Sequence, residues 1–223
     1  MRISACHILS GLLVLAVPLV SLPAQAAFQD GVAAYSRGDH AAAAEIWRED
    51  ASTGDPAAQR NLGLLYLNGQ GVPKDEAAAA EWFRRSADQG FPRAAANLAD
   101  LYLRGIGVPR NPEKAVALFR RAAESGLPEA QHNLGVLIES GFGVEKDLEQ
   151  ARAWYQRAAA GGHAAARERL AQLAPLETAA PATEIDGVQG AEAAGEPFVE
   201  DGVVPLPAGD GGLIDSLYAI LTP

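Results

Sequence analysis

Apolar side chains recur along residues 56–163 at helical spacing, and the pattern restarts twice within every 36 residues. In the first half of each period, Leu62, Leu65 and Tyr66 lie at i, i+3 and i+4. The same places hold Leu98, Leu101, Tyr102 and then Leu134, Leu137, Ile138. That spacing puts the three side chains on one face of a helix. In the second half, Ala115, Leu118, Phe119, Ala122 and Ala123 follow i, i+3, i+4, i+7 and i+8, the stripe of an amphipathic helix. Trp82-Phe83 and Trp154-Tyr155 fill the aromatic places in the neighbouring periods. The pattern predicts two helices per period over 56–91, 92–127 and 128–163. A fixed period of this size means stacked helix pairs that bury their apolar faces against neighbours.

Punctuation between the helices repeats as well. A Gly-x-Gly-Val turn stands at Gly69–Val72, Gly105–Val108 and Gly141–Val144. Its glycines are expected to end the first helix, and its valine to plug the gap between the two helices of the unit. It is not a phosphate loop: no strand precedes it, and neither a Walker pattern nor a correctly spaced third glycine is present. Asp75, Asn111 and Asp147 are the expected N-caps of the second helices. Asp147 with Gln150 reads as a capping box, and Pro112 suits a first helical position. Gly90, Gly126 and Gly162 end the second helices. Small residues at Gly63, Ala99 and Gly135 would let a neighbouring helix approach closely. The pairs Arg84-Arg85 and Arg120-Arg121 are read as helix-end cations suited to the dipole rather than as a basic site.

The flanks carry weaker versions of the same pattern. Residues 27–55 keep the Gly38-Asp39 turn and Trp47 but lack the Gly-x-Gly-Val insertion. Residues 164–173 read as a lone capping helix, with Arg167, Glu168 and Arg169 on its wetter face. The expected body is therefore about nine helices over 27–173. Residues 174–212 are rich in Ala, Pro, Gly and acids with no helical or strand period, an acidic linker expected to be disordered. In residues 213–221, Leu213, Ile214, Leu217, Tyr218 and Leu221 share one face of a short helix. Nine residues do not hold a helix alone, so this segment is expected to form when docked on its own chain or on a partner.

The unit A-x-x-N-L-G-x-L-Y-x-x-G-x-G-V-x-x-D…A-x-x-W-F-x-x-A-A-x-x-G resembles the Sel-one-like repeat, a relative of the tetratricopeptide repeat. The resemblance covers 56–163 strongly. Departures are Ala99 for glycine, Ile138 for tyrosine, Asn111 for aspartate and Leu118 for tryptophan. It implies an all-α, right-handed α-solenoid whose first helices build a concave face, and a role as adaptor or scaffold for other proteins. Aligned on the tetratricopeptide pattern, the non-repeating groove positions are Arg60, Leu64, Asn68, then Ala96, Asp100, Arg104, then His132, Val136, Ser140. Each trio is spaced by four, a stripe on one helix face. Together they suit an extended or helical peptide. Asn61, Asn97 and Asn133 recur unchanged; such a residue can read a ligand or bond the adjoining repeat's backbone, and the second role is favoured.

Charge and the N-terminal residues bear on location and partners. Arg2, the 13-residue apolar run Ile8–Val20 and the small-x-small Ala24-Gln25-Ala26 read as a secretory signal peptide over 1–26, cleaved after about Ala26. The run is short for a bilayer span of about 20 residues. Cleavage would remove Cys6, the one cysteine, leaving no disulfide chemistry and no stable membrane anchor. A periplasmic or secreted bacterial protein is expected. The net charge of −10 is uneven. Residues 27–173 carry 19 acids and 17 bases, whereas 174–223 carry 9 acids and no Lys or Arg. Nucleic acid and anionic membrane surfaces are poor partners for such a chain.

No cofactor or metal is expected. The alternative function is binding or hydrolysis of cell-wall or β-lactam compounds, which the resemblance associates with cysteine-rich exported members. Absence of mature cysteines disfavours it, and no S-x-x-K, G-x-S-x-G or H-E-x-x-H is present. His40, His132 and His163 lack metal-ligand spacing.

Overall fold

The computed structural model describes residues 23–173, with side chains from residue 28. Among the described residues there are nine α-helices and no strand. A first unit is made by α1 (Pro23–Ser36) and α2 (His40–Thr53). Three full units follow: α3 (Pro56–Asn68) with α4 (Glu76–Asp88), α5 (Pro92–Arg104) with α6 (Pro112–Glu124), and α7 (Pro128–Ser140) with α8 (Leu148–Ala160). Helix α9 (Ala164–Leu173) closes the series. Each first helix packs on its own second helix and on the second helix of the unit before it. This neighbour-only packing is that of an α-solenoid. Helix α1 starts at Pro23, so the expected cleavage point after Ala26 falls within its first turn. The rest of the expected signal peptide, the linker 174–212 and the segment 213–221 lie outside the described residues.

The second helices start where the caps predict. Asp75, Asn111 and Asp147 accept from the backbone N–H of Ala78, Lys114 and Gln150 at 2.9, 2.8 and 2.9 Å. Their own N–H groups reach back to the first helix. Asp75 donates to the Tyr66 carbonyl at 2.9 Å, Asn111 to Tyr102 at 2.8 Å and Asp147 to Ile138 at 3.2 Å. The expected capping box at Asp147 and Gln150 is therefore not closed, because the cap N–H is committed to the partner helix. One residue thus starts the second helix and fixes it to the first.

Within each unit an aromatic ring from the second helix sits on a small residue of the first. Phe83, Phe119 and Tyr155 are buried. A Cβ at Gly63 would lie 2.7 Å from the Phe83 ring, and one at Gly135 would lie 2.6 Å from the Tyr155 ring. The degenerate first unit follows the same rule: a Cβ at Gly31 would meet Trp47 at 2.4 Å. Gly31 and Trp47 are four residues closer in sequence than the other pairs because the four-residue Gly-x-Gly-Val insertion is missing.

The insertion itself joins units. Gly71, at φ 69°, would place a Cβ 2.2 Å from the His40 carbonyl oxygen, at the start of α2. Gly107 faces the Glu76 carbonyl at 2.1 Å, and Gly143 the Pro112 backbone at 2.6 Å. Each loop therefore rests on the start of the preceding unit's second helix, an approach only glycine allows. Val72 packs in the cluster that holds Trp47 and Leu62, and Val108 in the one that holds Leu64 and Phe83. The valine plug thus lies between units as well as between the helices of one.

Gln59 and Gln131 carry the bond to the adjoining backbone that was expected of the asparagines. They donate to the carbonyls of Ala51 and Ala123, each at 3.1 Å. Ala95 stands at the matching place in the middle unit. Arg84, Arg85 and Arg121 make structural contacts. Arg84 and Arg85 both bond Glu81, at 2.7 and 2.9 Å, and Arg85 lies 4.7 Å above the Trp82 ring. Arg121 donates to the Ala87 carbonyl of the preceding unit.

Candidate partner-binding face

The first helices are buried differently from the second. In α4 the buried positions are Ala79, Ala80, Phe83, Ser86 and Ala87, a single stripe. In α3, all eight residues from Ala58 to Leu65 are buried. In α5 the run is Ala94 to Leu101, and in α7 it is Ala130 to Ile138. Eight consecutive residues turn through more than two full turns, so every side of these helices is covered.

This burial takes in most of the expected groove. Arg60, Leu64, Ala96, Asp100, His132 and Val136 are buried, whereas Asn68, Arg104 and Ser140 are exposed at the helix C-terminal ends. The nine positions therefore form an inner row of six capped by an accessible rim of three, not an open, solvent-lined channel. The spacing-by-four argument places residues on a common face but carries no information about what covers that face.

The row is polar where it repeats and varied where it does not. Arg60 donates through Nε to Asn97 Oδ1 at 3.1 Å, linking α3 to α5, and through Nη1 to Asn61 Oδ1 at 3.4 Å. Burial, with help from the like charge of Arg93, lowers Arg60 to about 9, so it remains cationic at neutral pH. Asp100 Oδ2 meets Arg104 Nη1 at 3.4 Å. Burial outweighs that ion pair and pushes the Asp100 carboxyl up to about 7. His132 approaches Asn133 Oδ1 at 3.4 Å and stacks on His163, ring centres 4.5 Å apart. Next to it, Tyr155 Oη donates to Glu139 at 2.7 Å, and Arg169 of α9 bonds the same carboxylate. Burial works against the Glu139 charge, but these two hydrogen bonds prevail and hold its carboxyl below the usual range.

Three buried polar atoms, Asp100 Oδ1 on the row and Asn61 Nδ2 and Asn133 Nδ2 next to it in sequence, have no hydrogen-bond partner among the described residues. Leaving such a group unpaired costs about 1–3 kcal/mol, and native proteins rarely do it. Repetition of the asparagines was the one sequence signal for this feature. No cluster of three or more His, Cys, Asp or Glu side chains among the described residues is placed to hold a metal. No described helix is long and apolar enough to cross a membrane.

Known proteins match both the repeat and its stacking. The Sel1 repeat family matches residues 56–91, 92–127 and 128–163. The chain is a Sel1-repeat protein. A Sel1 repeat protein from Oxalobacter formigenes is 32% identical, with a TM-score of 0.63 over 66% of this chain and 59% of its own. The c5321 protein, a protective antigen of uropathogenic Escherichia coli with an SLR fold, is 33% identical, with a TM-score of 0.61. That match covers 66% of this chain and 32% of the antigen. The Sel1-repeat chain described here thus spans about three-fifths of one relative and a third of the other. No curated protein gives a significant match. The Sel1-repeat fold is commonly a protein–protein interaction scaffold.

Proposed function

We propose that this protein is an exported scaffold or regulatory adaptor that takes a peptide or protein segment against the inner face of α3, α5 and α7. The observation that carries this reading is the trio of accessible, non-repeating residues Asn68, Arg104 and Ser140, which stand at the C-terminal ends of α3, α5 and α7 in a stack of Sel1 repeats. An extended segment carries backbone donors and acceptors along its length and can bond such side chains. Export rests on the leader-like residues 1–26, and it would place the scaffold in the periplasm or outside the cell.

The test targets the rim and leaves Arg104 in place, because it pairs with Asp100 of the buried row. The protein and an Asn68→Arg, Ser140→Arg variant serve as baits on envelope extract, with circular dichroism confirming equal helicity. Proteins held by the first and lost by the second are the expected result. Identical captures from both baits would remove the inner face as the binding site. N-terminal sequencing of the protein recovered from the periplasm is expected to begin at Ala27.

A further inference from the structure

Helix α9 is a first helix that stands without a second among the described residues. Counted from the start of each unit, its Leu170, Ala171 and Leu173 stand where α3 has Leu62, Gly63 and Leu65, and where α7 has Leu134, Gly135 and Leu137. In α3 and α7 those leucines are fully buried, and the glycine seats the aromatic ring of the unit's own second helix. In α9 the two leucines are only half-buried against the neighbouring core, and Ala171 is exposed. The seat has the register of the inner units and stands open among the described residues.

The second helices share a signature that identifies the occupant. Each carries its N-cap eight residues before its buried ring: Asp39 and Trp47, Asp75 and Phe83, Asn111 and Phe119, Asp147 and Tyr155. Asp210 and Tyr218 repeat that spacing. Around Tyr218, Ile214, Leu217 and Leu221 fall at the places that Ala115, Leu118 and Ala122 hold around Phe119, one amphipathic stripe. We infer that residues 210–221 are the missing second helix and close a further unit on α9, with Asp210 as N-cap and Tyr218 on Ala171. This goes beyond the rim reading above and does not depend on it. Gly211 and Gly212 follow the cap and are poor helix formers, so the helix forms on docking rather than alone. Residues 174–209 take the place of the short Gly-x-Gly-Val loop. Closure entropy rises only with the logarithm of loop length, so the long connection is tolerated. The apolar run Ile8–Val20 does not fit the seat, since it has neither an acidic cap nor a ring.

Closure is measured within the full chain and requires no outside partner. In a Cys6→Ser background, Glu168→Cys at an exposed place on α9 and Ser216→Cys in the segment carry a spin-label pair for pulsed dipolar spectroscopy. A narrow distance distribution is expected. Tyr218→Phe should retain it, because Phe83 and Phe119 hold the same place in their units. Tyr218→Asp and Ala171→Glu should each broaden it. A broad distribution in the parent overturns the inference. So does a narrow one indifferent to Ala171→Glu, which would put the segment elsewhere, or one lost on dilution with unlabelled protein, which would mean exchange between copies. Each of these results leaves the rim-variant capture untouched, so closure can fail while the inner face stands as a partner site.

Discussion

A methyl group added at Gly135 would sit 2.6 Å from a Tyr155 ring that is fully buried and has nowhere to move. Alanine is worth about 1 kcal/mol more than glycine in a helix. Overpacking a filled core costs about 1–3 kcal/mol. The clash therefore wins, and Gly135→Ala is expected to lower the melting temperature despite the better helix former. The middle unit has settled the same contact with Ala99, so Ala99→Gly also destabilises there, by lost propensity and lost packing; two thermal melts check the pair. Asp100 gives a pH effect of definite sign. Its carboxyl ionises near 3.8 in the unfolded chain and near 7 in the fold, so the folded state binds the extra proton between those values. Its contribution is fully present below about pH 4 and is lost as pH rises through about 7. Asp100→Asn is expected to flatten the stability profile across that window and to raise stability at pH 8. Denaturant titrations of both proteins from pH 4 to 8 measure it, and a parallel pair of profiles would contradict it.

Helices and loops were legible in the sequence to different depths. The caps Asp75, Asn111 and Asp147 start α4, α6 and α8 as read, because a cap needs only its own side chain and the N–H three residues on. Gly-x-Gly-Val was legible as a helix stop, but its second glycine serves a contact 31 residues back in sequence, which no local pattern reports. The two glycines differ accordingly. A Cβ at Gly105 meets Arg110 Cβ at 3.3 Å and the Arg110 backbone N at 3.5 Å, tight but without overlap, so alanine there bears mainly the left-handed backbone cost of about 1–2 kcal/mol. A Cβ at Gly107 meets the Glu76 carbonyl at 2.1 Å, and backbone cannot swing aside. Gly107→Ala is expected to destabilise well beyond Gly105→Ala and to loosen the joint between the units 56–91 and 92–127. Denaturant midpoints rank the two, and equal midpoints would refute the stacking role. The groove residues mark the other limit of local reading. Spacing by four put Arg60, Leu64 and Asn68 on one face, yet burial of the first two depends on neighbours that the spacing does not encode.

At the scale of the whole chain, stability is distributed along a line, because each helix touches only its neighbours in the stack. Helix α9 buries a single residue, Ala166, and is held by Arg169 on Glu139 and by Arg152 on the Leu173 carbonyl. By contrast, α5 and α7 are buried on every side over eight or more residues. Local opening follows burial and contact density, so the ends of a stack fray first. Amide exchange in the full chain is therefore expected to be slowest in α5 and α7, faster in α3, and fastest in α9. Phe119→Ala tests whether the units are coupled. Truncating so buried an aromatic side chain costs about 3–5 kcal/mol, enough to uncouple the joint it supports. In that variant α5 and α6 should exchange early, with α3–α4 and α7–α8 losing protection as their shared interfaces weaken. Uniform acceleration from α1 to α9 would instead mean that the protein opens as one globular unit and that the stacked description does not govern its energetics.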